Sequence, residues 1–285
     1  MYRGRTISLS FPPFTPAVKW LLLINVGIFL LTTLLGSFAP DFGNVFSYIF
    51  SLIPIRVMHA WVWQLVTYSF LHSGLFHILF NMLWLWMFGA QLESDWGRNK
   101  FLEFYFFCVI GAALTTVAVS YTGLGGITPQ TGTVGASGGI LGLLAAYGLL
   151  YGEQEIFLFP LPFSIKAKYF VAGIAFIELI SAINAAAPGR GGAVAYSAHL
   201  GGLLFGFLYV KLVNRRGLLF GASERYFGVR NEYYRWKRRR AARKFEVYMR
   251  KHDRTVRFDE QGNYIPPDDG DGNKKNGGSK SGWVN

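Results

Sequence analysis

The chain has 285 residues and a formal net charge of +12, yet 52% of it is hydrophobic and only 15% charged, with a mean hydropathy of +0.28. A soluble protein carries roughly 25% charge, so an ordinary soluble domain is excluded, and a membrane explains the positive charge better than a nucleic-acid partner. The single cysteine, Cys108, rules out an intramolecular disulfide and a Cys-built metal site. It lies in an apolar run and reads as inert packing.

Residues 1–16 are a short N-terminus carrying Arg3 and Arg5. The run Ala17–Phe38 is about 20 residues long, enough for one crossing, and lacks a small-residue cleavage site, so it reads as a retained helix. Residues 39–71 are aromatic-rich but broken by Pro40, Asp41, Pro54, Arg56 and Gln64. They suit an extracytoplasmic loop lying partly in the interface, where Trp and Tyr gather. A second crossing, Ser73–Gln91, contains His77 and Asn81 and is followed by a charged turn from Glu93 to Lys100. The third covers Phe101–Tyr121 and leads into a Gly-rich loop. The fourth, short, runs from near Gly135 to near Tyr151. Residues 152–168 look like loop, with Pro160, Pro162, Lys166 and Lys168. The fifth crossing, Tyr169–Ala186, contains Glu178; the loop Pro188-Gly-Arg-Gly-Gly192 precedes the sixth, Ala193–Val213.

With no sheet signal, the expected fold class is an all-α polytopic membrane protein, a six-transmembrane-helix bundle over residues 17–213. Residues 214–265 form a basic cytoplasmic extension, richest from Arg235 to Lys244. Attraction to anionic lipid and a solvated helix that only enforces topology are the two readings of it. From Pro266 the composition cannot build a core, so 266–285 is expected to be disordered. Lys and Arg set the orientation: Arg3, Arg5, Lys19, Arg98, Lys100, Lys166, Lys168 and the tail fall on one side, and only Arg56 and Arg190 on the other. Both termini are therefore expected in the cytoplasm.

Polar groups inside membrane helices are expensive and hence informative. Ser137 stands among glycines at a helix start, where unpaired N–H groups and the helix dipole favour negative charge. Taken alone, such a Ser is commonly a cap or a close-packing residue. The pattern Gly135-x-Ser137-x-Gly139 also fits a nucleophile elbow, but that needs a preceding strand, and Gly125–Gly132 reads as loop. His77 and Asn81 are four apart and share a helix face. His199 lies on a stripe with Ala195, Gly202 and Gly206, and Gly138 and Gly142 form a similar stripe beside Ser137. If these stripes meet, His199 comes within hydrogen-bond reach of Ser137. A serine nucleophile, a histidine base and side-chain donors for an oxyanion then form one site.

At these residues the sequence resembles the rhomboid family of intramembrane serine proteases. The motifs that carry the resemblance are His72-x4-His77-x3-Asn81, Gly135-Ala-Ser137-Gly-Gly139 and Ala198-His199-x2-Gly202-x3-Gly206, with the turn Glu93-x3-Gly97 in support. Order and helix placement match across residues 17–213. The resemblance implies Ser137 as nucleophile, His199 as general base, and His77 and Asn81 as oxyanion donors with His72 supporting them. It implies a Ser–His dyad with no third acid, no cofactor or metal, and membrane-embedded substrates in a bacterial inner (plasma) membrane. One departure is Gln64 after Trp63, where many relatives carry Arg.

Glu178 has no assigned partner in this reading. A charge at a helix centre costs about 2.5–3.5 kcal/mol even on insertion scales, so it is expected to face the bundle interior or a water pocket. A structural hydrogen bond and a substrate-gate role are its two readings, the second because the family's fifth helix borders the substrate's route. His59 and His252 have no helical partners and receive no role. The leading function is an endopeptidase that cleaves transmembrane segments of other membrane proteins. An inactive relative that binds client helices is the alternative, although such relatives typically lose the Ser or the His. A proton-coupled transporter would want inverted repeats or paired broken helices, and none is visible.

Topology is directly testable in a Cys108→Ser background. A cysteine placed at Gly191 is expected to react with a membrane-impermeant thiol reagent from outside; labelling from the cytoplasmic side alone would contradict six crossings.

Overall fold

Proline, read in the sequence as a breaker, begins three of the first helices, because its fixed φ suits the first helical position and its missing N–H costs nothing there. In the computed structural model, which describes residues 12–123, 128–157, 164–185, 193–213, 218–252, 254–260 and 263–265, α1 spans Pro16–Phe38, α2 Pro40–Phe50 and α3 Pro54–Met58. α4 (Gln64–Thr67) and a 3₁₀ turn (Tyr68–Phe70) complete the segment expected as loop. Then follow α5 (Leu75–Trp96), α6 (Arg98–Ser120), α7 (Ser137–Leu150), α8 (Ala167–Ala185) and α9 (Ala193–Leu212). Among the described residues, α1, α5, α6 and α8 are long and apolar enough to cross a membrane. The expected six apolar runs thus all appear as helices. Arg3, Arg5, the Pro188–Gly192 loop and the 266–285 tail lie outside the described residues.

The helical bundle also carries a short hairpin. Glu155–Phe157 (β1) and Ser164–Lys166 (β2) pair antiparallel in the segment read as loop, with Ile156 opposite Ile165. Three-residue strands give almost no alternation to read in a sequence. Beside the hairpin, Glu153 meets Lys166 at 2.8 Å and also Lys168. These hydrogen bonds, Lys166 first, hold the Glu153 carboxyl at about 2, well below the usual carboxylate range. All three side chains are exposed, so the cluster adds little stability.

Chain contacts divide the protein into two units, Met1–Leu218 and Leu219–Asn285. Within the second, the helix α10 (Leu218–Arg250) is followed by β3 (Arg257–Phe258), which pairs antiparallel with β4 (Tyr264–Ile265). Phe258 packs edge-on against Phe245, and Ala242 is buried.

In the first unit α6, α7 and α9 form the centre. Phe101, Phe104, Tyr105, Cys108 and Val109 of α6 are fully buried. Glycine lets α7 and α9 come into backbone contact. A Cβ on Gly202 would lie 2.0 Å from the carbonyl oxygen of Gly138, and one on Gly206 2.6 Å from that of Gly142. The two small-residue stripes therefore meet, although of Ala195 only the helical backbone is described. A Cβ on Gly142 would lie 2.4 Å from Cys108 Sγ of α6, which accounts for this buried thiol as packing.

The start of α1 is capped from a distance. Glu93, buried on α5, accepts hydrogen bonds from the N–H groups of Ala17 (2.8 Å) and Val18 (2.9 Å) and from the Thr15 hydroxyl. A carboxylate there satisfies orphan donors and complements the helix dipole. Gly97, four residues on, ends α5 at φ +78, a left-handed conformation that favours glycine. The turn Glu93-x3-Gly97 thus ends one helix and begins another.

Gly202→Val is expected to force α7 and α9 apart and lower stability by about 1–3 kcal/mol or more, whereas Gly27→Ala in α1, with nothing within 4 Å of the added Cβ, is expected to be neutral or slightly stabilising. Thermal unfolding of both variants in detergent checks the contrast.

Candidate active site

The site begins with a loop that delivers α7. Leu52 and Thr133 exchange backbone hydrogen bonds (3.0 and 2.9 Å), the Ile55 N–H donates to Pro129 O at 2.8 Å, and the Gly135 N–H donates to Tyr68 O at 3.0 Å. Residues 51–70 and 129–135 are thereby locked together. Gln64, at the position where the resemblance suggested Arg, is fully buried in this lock. Its Oε1 accepts from the Ile53 N–H (3.0 Å) and its Nε2 donates to Ile49 O (3.0 Å). A neutral amide supplies both a donor and an acceptor here, which a guanidinium cannot. Arg56 instead stacks over Tyr48, its guanidinium carbon 3.5 Å from the ring centroid. The Tyr68 hydroxyl donates to Val109 O at 2.8 Å, tying the lock to α6.

Gly135 has φ +128, and α7 then starts at Ser137. Its first N–H groups have no carbonyl one turn earlier to bond, as at any helix start. Ser137 Oγ lies 2.8 Å from His199 Nε2 of α9, and His199 Nδ1 lies 2.8 Å from Glu178 Oε2 of α8. The glycine contact between α7 and α9 makes the first distance possible, since Gly138 follows Ser137 directly and Gly202 lies about one turn beyond His199. Tyr196, on the same helix as His199, presents its ring perpendicular to the imidazole at 6.2 Å.

His77 approaches from α5. The point that a Cβ on Gly135 would occupy is 2.8 Å from His77 Nε2 and 3.6 Å from Ser137 Oγ. Absence of a side chain at 135 therefore leaves a gap between imidazole and hydroxyl. His77 Nδ1 is 3.1 Å from Ser73 Oγ, and the buried His72 ring packs edge-on against His77 with centroids 5.1 Å apart. Asn81, one turn along α5, is buried, and its Nδ2 has no acceptor among the described residues. Among those residues no group of three or more His, Cys, Asp or Glu is disposed to hold a metal ion.

Ser137, His199, His77 and Glu178 thus come together from four helices. Glu178 departs from the expectation of a site without a third acid: it is bonded to the imidazole. Sequence reasoning passed over Ser73, Tyr68 and Glu178's partner. Only the last had a signal, since two costly groups in apolar helices, a carboxylate and an imidazole, are chemically suited to each other.

A family model described as the rhomboid domain matches residues 59–216. The chain is similar to the mitochondrial rhomboid protein 1 of Saccharomyces cerevisiae, 31% identical over 144 residues, covering 50% of this chain and 39% of that one. It is also similar to the rhomboid protease GlpG of Yersinia pestis, 30% identical over 151 residues, covering 52% and 46% respectively. The matches therefore span less than half the length of these curated relatives.

Gly135→Ala is expected to displace His77 and strain a backbone at φ +128, costing about 1–3 kcal/mol. The thermal midpoint in detergent should fall; an unchanged midpoint would contradict the crowding described.

Proposed function

The chain belongs to the rhomboid family, and on that premise we propose that it is an intramembrane serine endopeptidase that cleaves transmembrane segments of other membrane proteins. It is an integral membrane protein. The observation that carries the reading is the 2.8 Å approach of Ser137 Oγ to His199 Nε2 at the start of a buried helix. In the proposed reaction Ser137 Oγ attacks the scissile carbonyl carbon while its proton passes to His199 Nε2. The imidazolium then gives that proton to the leaving amine as the C–N bond breaks. Water, deprotonated by the same ring, hydrolyses the acyl-enzyme.

Three donors are proposed for the oxyanion. One is a backbone N–H at the start of α7, a second is His77 across the gap at Gly135, and the third is Asn81 Nδ2. A Ser73 hydroxyl that donates to His77 Nδ1 leaves the proton on Nε2, the nitrogen nearer the gap. The unpartnered amide of Asn81 suits a donor whose acceptor arrives with the substrate. Since a helical carbonyl is shielded by its own hydrogen bond, substrates should carry small or helix-weakening residues near the scissile bond.

For organisation we propose that residues 17–213 are the membrane domain, crossing six times as α1, α5, α6, α7, α8 and α9. Residues 1–16 and the 214–265 extension lie in the cytoplasm, with 266–285 as a tail, in a bacterial inner membrane. The Lys and Arg asymmetry supports this orientation.

Ser137→Ala and His199→Ala are each expected to abolish cleavage of a model transmembrane substrate without loss of fold, and the double variant to be no worse than either. His77→Ala and Asn81→Ala should lower kcat by up to about 10²–10³ with little change in KM. Thermal unfolding in the same preparations separates these roles from helix tethering. Substantial turnover by Ser137→Ala, or wild-type turnover per folded molecule in both donor variants, would refute the respective assignments.

A further inference from the structure

α8 turns an apolar surface outward: Phe176, Ile177, Leu179 and Ile180 are all exposed. Glu178, in their midst, is turned the other way. Its side chain is only 17% exposed, and its Oε2 stands 2.8 Å from His199 Nδ1. The opposite nitrogen of the same ring meets Ser137 at an equal 2.8 Å. The imidazole is therefore bridged, carboxylate on one side and hydroxyl on the other.

That bridge has a chemical consequence. A neutral imidazole carries one N–H, and an ionised carboxylate only accepts hydrogen bonds. The Glu178 contact is satisfied when the proton sits on Nδ1, which leaves the Nε2 lone pair facing the Ser137 hydroxyl. The opposite tautomer would set a lone pair against the carboxylate and an N–H against Ser137, where it cannot take a proton. We propose that Glu178 is a positioning residue that holds His199 in the tautomer competent to act as base and stabilises the imidazolium formed when Ser137 attacks. This rests on the reading of Ser137 and His199 as nucleophile and base.

Each proton has a defined place in the step. The Ser137 O–H bond breaks, its proton moves to Nε2, the Oγ–C bond forms, and the carbonyl π pair moves onto oxygen. When the C–N bond breaks, the Nε2 proton goes to the leaving nitrogen. Glu178 stays ionised and exchanges no proton; its contribution is orientation and charge, as for acids that orient histidine bases on unrelated folds. A plain tether between α8 and α9 would use the same contact but would act on stability alone.

The experiment compares the full-length wild type with Glu178→Gln and Glu178→Ala in detergent, measuring kcat and KM for a transmembrane substrate, thermal midpoint and response to added formate. Glu178→Ala is expected to lose about 10²–10⁴-fold in kcat, with KM changed by less than about twofold. Formate should restore part of that loss without raising the midpoint. Glu178→Gln, whose amide can turn its N–H toward Nδ1 and so favour the wrong tautomer, should lose at least as much while keeping the contact between α8 and α9. Wild-type kcat per folded molecule in Glu178→Ala overturns the proposal. So does a kcat that falls only in step with the midpoint and ignores formate. Nitrogen NMR of His199 in the wild type needs no variant: a proton on Nδ1 supports the proposal, and one on Nε2 overturns it. A wild type that neither cleaves nor reacts with a serine-directed probe removes the nucleophile–base reading itself. An active wild type beside an unimpaired Glu178→Ala removes only the role of Glu178.

Discussion

The contact between α7 and α9 is the constraint on which the rest depends. Two helices with ordinary side chains pack with axes about 8–10 Å apart, which would carry a serine on one away from a histidine on the other. Here Gly202 sits against the carbonyl oxygen of Gly138 and Gly206 against that of Gly142, with no room for a single methyl group. Inside a bilayer such packing is itself a source of association, because lipid offers no hydrophobic drive between apolar helices. The same contact therefore supplies stability and brings Ser137 to His199. Gly111 and Gly201 extend the logic to α6, where added Cβ atoms would collide with Phe205 and Thr115.

A second constraint is that buried polar groups in a membrane protein need partners. Most of those described have one, and the partners are structural. Glu93 caps α1, Gln64 fastens residues 49–53, the Tyr68 hydroxyl takes Val109 O, and the Tyr209 hydroxyl donates to Glu103 at 2.7 Å. Asn81 Nδ2 lacks a partner among the described residues, as do the Tyr105 and Thr133 hydroxyls, but Asn81 lies on the helix that also carries His77. The polar framework holds still what surrounds Ser137: the Gln64 lock positions Leu52, Leu52 pairs with Thr133, and Tyr68 holds Gly135.

Much of the fold was legible because a bilayer demands long apolar runs. The run read as Ala17–Phe38 is the helix Pro16–Phe38, and that read as Ala193–Val213 is Ala193–Leu212. Small-residue stripes were legible too, since glycine at a spacing of four on two apolar helices has few other uses. What was not legible depended on neighbours. Pro40 and Pro54 look like interruptions until their chain partners show them starting helices. The hairpin at Glu155 and Ser164 is too short for a period. Glu93 gives no hint that it serves a helix 76 positions earlier. Glu178 was conspicuous by cost, but that α8 sets it against α9's histidine follows from three-dimensional adjacency alone, and so the site was read as lacking an acid. Gln64 could be flagged as a departure, while its compensating bonds to Ile53 and Ile49 could not.

The central claim is that Ser137 is made nucleophilic by His199 across the α7–α9 contact. Its most direct test is the site of covalent modification when membranes containing the protein are treated with a fluorophosphonate probe, located by mass spectrometry of the peptides. The account predicts an adduct on Ser137 in the wild type and its loss in His199→Ala. An adduct at another serine, or undiminished modification of Ser137 without His199, would contradict it.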